Sequence, residues 1–96
     1  LAERPECRAV YHLFVVRAPR RDELQAHLKA RGIFTGIHYP VPIHLQPAMA
    51  YLGYRAGDLP ATEALVGDIL SLPMFAELTA DDLAAVAAAV HEFYQG

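Results

Sequence analysis

Three prolines, Pro40, Pro42 and Pro47, fall within the ten residues from His38 to Pro47 and constrain this chain more than any other feature. A pyrrolidine ring fixes its own φ, removes an amide donor and pushes the preceding residue toward extended backbone. No regular helix or central strand can run through such a segment. It is predicted to be a stiff, extended, irregular loop, with the regular elements arranged on either side of it. The loop carries His38, Tyr39, His44 and Gln46. Side chains on a rigid loop at a strand end are well placed to meet a ligand. Imidazole, phenol and amide groups donate and accept hydrogen bonds, and aromatic faces pack on the apolar face of a sugar ring. The chemistry therefore suits a polyhydroxylated ligand. The competing reading is that the His–Tyr pair satisfies backbone groups and covers an exposed edge.

Before the loop, Val10 to Arg17 is rich in β-branched and aromatic residues and apolar on both alternating faces, the pattern of a strand buried on both sides. Arg20 to Arg31 is predicted to be a helix. Asp22 and Glu23 lie in its first turn and Lys29 and Arg31 in its last, with Leu24 and Leu28 on the buried stripe and Gly32 as the stop. Ile33 to Ile37 is predicted to be a second strand that runs into the loop.

After the loop, Pro47 to Leu52 is predicted to form a short helical turn ending at Gly53, with Tyr51 and Tyr54 packed on the loop. Asp58 is placed to cap a further helix with Pro60 in its first turn and Ala61, Leu65 and Ile69 on its core face. Leu70 to Met74 is predicted to be a third strand that ends at Pro73. Thr79 and Asp82 form a capping-box pattern ahead of a last helix, in which Leu83, Val86, Ala87, Val90 and Tyr94 recur at helical spacing. The order β-α-β-loop-α-β-α implies an α+β (or α/β) layer, with a small sheet of about three strands covered by helices. Residues 1–9, with four charges and a proline, are predicted to be a linker or lead-in segment, and residues 10–96 one domain.

Hydrophobic residues make up 54% of the 96 residues, a high share for a small free-standing domain. Either one face is meant to be covered by something else, or the many alanines inflate the figure. The net charge of −3 and the lack of a basic stripe argue against nucleic acid. The longest apolar run, Leu83 to Val90, has eight residues, far short of the ~20 of a membrane span. A single cysteine, Cys7, fits a reducing cytoplasm, where the chain is expected to reside.

Other chemistries are poorly served. His38 and His44 lack an evident third metal ligand. Ser71 has no glycine elbow, so a nucleophilic role is not expected. His12 is predicted to be a core or interface residue of the first strand, and His27 and His91 to be ordinary surface residues. The only lysine, Lys29, falls near the end of a helix on its polar side. A Schiff-base lysine needs a sheltered pocket that lowers its pKa. No glycine-rich phosphate cradle is present either.

Several motifs in one order carry a family resemblance. They are Gly36 to Pro40 (GIHYP), His44 to Pro47 (HLQP), Leu52 to Tyr54 (LGY), Gly57-Asp58, Glu63 and Leu70 to Met74 (LSLPM), preceded by the strand YHLFVVR. Over roughly residues 10–94 the chain resembles the C-terminal end of the DegT/DnrJ/EryC1/StrS sugar aminotransferases. The resemblance implies the small domain of the aspartate-aminotransferase (fold-type I) architecture. It implies a parent enzyme that uses pyridoxal phosphate to move an amino group onto a nucleotide-linked keto-sugar. The cofactor and its lysine would sit in a large domain preceding residue 1, and active sites would form in a homodimer. It also implies that His38 and Tyr39 lie near the substrate sugar, with His44 and Gln46 as further substrate-side candidates and no catalytic residue on this chain. Met49 stands where the family often has tyrosine. Because some members are described as regulators, a non-catalytic binding module is the alternative.

Overall fold

The computed structural model describes residues 3–96. Its first regular element is β1 (Phe14–Arg17), which pairs antiparallel with β2 (Ile69–Leu72) in the register Phe14↔Leu72, Val15↔Ser71, Val16↔Leu70 and Arg17↔Ile69. The α+β class stands, but the sheet is smaller than the sequence pattern implies. Ile33 to Ile37 contributes one antiparallel bridge, Gly36↔Ser71, and no full strand. The predicted first strand forms only from Phe14 onward, so that Val10 is left 90% exposed and His12 lies ahead of the strand on the surface. Pro73 bears on the first of these. Ser71 turns its amide to Gly36, position 73 would turn its own to the same side, and proline has none to donate, so the pairing on that side cannot extend beyond Leu72.

Between the strands runs α1 (Arg21–Ala30). Its end is a Schellman motif. The Gly32 amide donates to Lys29 O, the Ile33 amide donates to Leu28 O, and Gly32 takes φ 75°. A side chain at Gly32 would be strained in that left-handed conformation. Leu24 and Leu28 are buried as expected and join Ala18, Leu70 and Ala89 in the core.

α2 (Pro60–Asp68) begins at Pro60, but Asp58 does not cap it. The Asp58 carboxylate accepts from the Arg55 amide, and Glu63 takes the amides of Gly57 and Leu59. Nor does α2 present a core face: Ala61 and Leu65 are exposed and Ile69 only half-buried. The packed layer is α1 against α3 and β2, so α2 has little to bury against. Arg21 ties it in, donating from one Nη to Val66 O and Ile69 O.

The chain closes with α3 (Ala80–Gln95), whose capping box is formed in full: the Asp82 amide donates to Thr79 Oγ1, and the Thr79 amide donates to Asp82. Thr79→Ala should therefore cost about 1 kcal/mol in the denaturation midpoint. A loss near zero would show that this helix start is held by packing instead. Only Ala89 of α3 is buried. The predicted stripe of Leu83, Val86, Ala87, Val90 and Tyr94 lines an open groove of about 630 Å³ with Phe14, Leu72 and Met74. The periodicity marks a face that the described residues cover only in part: Val90 packs on the core and the Tyr94 hydroxyl donates to Pro19 O, while Leu83 stays exposed. His27 is also not an ordinary surface residue. Its Nε2 lies 3.1 Å from Ala89 O and its ring meets Phe93 edge-on, which pins α1 to α3.

The hydrophobic surplus therefore sits outside. Exposed side chains include Phe34, Ile43, Leu83 and Phe75, so alanine content alone does not account for it. The radius of gyration is 16.0 Å, where a compact domain of this length would have about 12.5 Å.

Candidate functional site

The loop between α1 and α2 leaves the sheet at Gly36. The Ser71 amide donates to Gly36 O at 2.7 Å and the Gly36 amide donates to Ser71 O at 3.0 Å. This closed pair fixes where the proline-rich segment departs. Ser71 alternates with Leu70, whose side chain is in the core, so Ser71 points to the opposite face of the sheet. There its hydroxyl lies 2.8 Å from His38 Nδ1. A Cβ at Gly36 would come within 2.7 Å of His38 Cε1, so the imidazole rests on backbone that only glycine leaves clear. Tyr39 follows through a cis peptide bond. Its ring stands edge-on to His38 at 5.4 Å and is largely open to solvent.

After Pro42 the segment forms two short 3₁₀ turns, α-helical nowhere: Ile43–Leu45 and Pro47–Leu52, the second ending at Gly53 as the sequence predicts. His44 lies in the first turn and is 7% exposed. Its Nε2–H donates to Glu63 at 3.0 Å, and Tyr54 packs edge-on against its ring at 5.9 Å. Tyr54 thus packs on the loop as expected, whereas Tyr51 stays exposed. Gln46, between the two turns, is half-buried.

The structure thus divides the four candidates into two pairs with different surroundings. His38 and Tyr39 form an adjacent, accessible pair on the sheet face. His44 is enclosed, with Nε2 committed to Glu63, which makes it a strut of the loop. Gln46 neighbours that strut. Sequence reading set Ser71 aside as a nucleophile and noted Glu63 only within a family motif. The signal for Ser71 was a lone hydroxyl in an otherwise apolar strand, alternating against a buried leucine.

Glu63 is the junction of the site. It receives His44 and the amides of Gly57 and Leu59, and these donors, His44 foremost, hold its carboxyl below the ordinary glutamate range. A depressed folded-state pKa contributes stability that is present above the unfolded value of about 4.3 and is lost as pH falls through the folded value. Amide exchange at Gly57 and Leu59, corrected for intrinsic rates, should therefore accelerate as the pH falls below the ordinary glutamate range. In Glu63→Gln this acid-dependent acceleration should disappear. The same acid dependence in the natural chain and in Glu63→Gln would rule this junction out.

Pyridoxal phosphate does not fit the described residues. Lys29 is exposed on the last turn of α1, at the rim of an open groove with Asp22 and Thr35 that gives a Schiff base no shelter. Among the described residues no group of three His, Cys, Asp or Glu side chains could hold a metal ion, and no helix is long and apolar enough to cross a membrane.

Comparison with known proteins places this geometry in a context. The model of the DegT/DnrJ/EryC1/StrS aminotransferase family matches residues 1–91. The chain is 50% identical over 86 residues to a pleiotropic regulatory protein of Geobacillus stearothermophilus, covering 90% of this chain and 23% of that one. It is 47% identical over 89 residues to the dTDP-3-amino-3,4,6-trideoxy-alpha-D-glucose transaminase of Streptomyces venezuelae, covering 93% of this chain and 24% of the relative. The crystal structure of S. venezuelae DesV in complex with a ketimine intermediate superposes with a TM-score of 0.90 at 44% identity, over 99% of this chain and 26% of that one. The chain spans about a quarter of the length of these relatives.

Proposed function

Because this chain belongs to the DegT/DnrJ/EryC1/StrS aminotransferase family, we propose that it is the small C-terminal domain of an enzyme that transaminates a nucleotide-linked keto-sugar. Residues 10–96 form that domain and residues 1–9 lead into it. The observation that carries the reading is the superposition of 99% of this chain on DesV of S. venezuelae with a TM-score of 0.90; the accessible His38–Tyr39 pair is in keeping with it. Pyridoxal phosphate supplies the amino-group chemistry in such an enzyme, and its site belongs to a large domain, since Lys29 cannot serve.

The roles left to this chain are binding and enclosure. His38 offers a hydrogen bond and Tyr39 an aromatic edge and a hydroxyl to the sugar. His44, through Glu63, holds the loop on which they stand, and Gln46, half-buried on the same loop, is a further candidate amide donor. The groove between α3 and the sheet, together with the other exposed apolar residues, is the surface that the large domain or the homodimer partner covers. Burial of Leu83, Val86 and Phe14 there would supply the apolar area that the chain's own core lacks.

The first test is the size of the native polypeptide in its source cells, read with an antibody to this domain, followed by assay of the isolated protein with a nucleotide-linked keto-sugar and glutamate. A band several times larger than 10.6 kDa, with amino transfer, is the expected result. A band at 10.6 kDa would remove catalysis and favour a binding or regulatory module, the reading that the likeness to a regulatory protein keeps in view.

A further inference from the structure

Ser71 is 4% exposed, and its backbone amide and carbonyl are both engaged by Gly36. Among the described residues its hydroxyl has one hydrogen-bond partner, Nδ1 of His38, at 2.8 Å. The direction of that bond follows from the burial. If Nδ1 carried the proton and donated, the hydroxyl hydrogen of Ser71 would be left enclosed without an acceptor, a costly arrangement. If the hydroxyl donates, its hydrogen is used and Nδ1 supplies the lone pair. The proton of the neutral ring then resides on Nε2. Gly36 closes the other side, since the ring lies where a Cβ would intrude. The ring cannot shift toward the backbone, and its Nε2 makes no hydrogen bond with any described residue.

We propose that Ser71 is a positioning residue that locks His38 into its Nε2–H tautomer, so that the imidazole presents a hydrogen-bond donor to an oxygen of the ligand. The inference deepens the sugar-binding reading and rests on it for its functional half. It narrows the ligand chemistry as well. An Nε2–H recognises a lone-pair acceptor, such as a hydroxyl or carbonyl oxygen of a sugar, and does not withdraw a proton from it. His38 therefore binds and orients, and proton removal during amino transfer falls to another group.

Long-range ¹H–¹⁵N correlation of the histidine rings at neutral pH tests the tautomer in the natural protein, with no variant required to fold. Nδ1 of His38 should be the unprotonated nitrogen. A protonated Nδ1 overturns the proposal. In the full-length enzyme, Ser71→Ala should mix the two tautomers and raise KM for the keto-sugar about five-fold, the equivalent of one neutral hydrogen bond, with kcat nearly unchanged. Ser71→Thr, which retains the hydroxyl on a strand that tolerates β-branching, should restore both the tautomer and KM. A Ser71→Ala enzyme with the wild-type tautomer and KM overturns the positioning role. If instead His38→Ala has wild-type kinetics, the sugar-contact reading itself fails, even where the ring spectrum shows the expected tautomer.

Discussion

Replacing Leu28 with alanine is expected to destabilise the chain by about 2–5 kcal/mol. Leu28 is wholly buried, in a core whose other buried apolar members are Ala18, Leu24, Leu70 and Ala89. Truncation removes the methyl contacts from a site bounded by α1, α3 and β2, and helices fixed by the Schellman stop of α1 and the capping box of α3 cannot collapse freely into the space. Leu28 also anchors the α1 stop, since its carbonyl receives the Ile33 amide and Ile33 packs on the same cluster. A domain of this size has only about 5–15 kcal/mol in total, so the loss removes a large part of it. The urea midpoint reads the effect. Leu83→Ala is the control, because Leu83 is 56% exposed and its truncation should change the midpoint little in this chain. Equal losses at the two sites would mean that the core lies elsewhere than around Leu28.

The second large effect is expected at His38. In the full-length enzyme, His38→Ala should lower kcat/KM with keto-sugar by roughly five- to 150-fold, the loss of one or two ligand hydrogen bonds worth about 1–3 kcal/mol. On the proposed reading, in which the cofactor belongs to the large domain, the absorbance of the bound cofactor should be unaffected. That pairing separates a substrate contact from a general structural lesion, which would reduce cofactor occupancy too. The fold should also survive, since the variant leaves the Gly36–Ser71 backbone pair in place. Wild-type turnover in this variant would reduce the loop to an edge cover. A companion change at His44 should behave differently. His44→Ala empties an enclosed position and leaves Glu63 with its two amide donors alone, so thermal stability should fall before kinetics do.

The contrast between these two histidines shows where sequence information ran out. Both stand on one proline-rich loop, and by residue type alone both suit ligand contact; the family resemblance pointed to His38 first. The tertiary structure gives the physical difference: Glu63, nineteen positions along the chain from His44, reaches back to enclose one imidazole, and Ser71 props the other at the surface. Neither partner is signalled by spacing along the chain. The same holds for α3. Its apolar period was legible, but a period gives a face and not the element that covers it, and here the buried contact falls to Ala89 while the larger residues line a groove.

What the sequence determined by itself was whatever depends on neighbours within a turn or two. Gly32 stops α1 because only a left-handed residue completes the Schellman bonds, Thr79 and Asp82 start α3 by exchanging hydrogen bonds over one turn, and three prolines keep the loop irregular. The tertiary structure decided the extent of the sheet, the direction each amphipathic face takes and the difference between a ligand-facing and a strut histidine. Those depend on residues brought together from distant positions, Gly36 with Ser71 and His44 with Glu63, and on Pro73, which has no amide to extend the pairing on the Gly36 side.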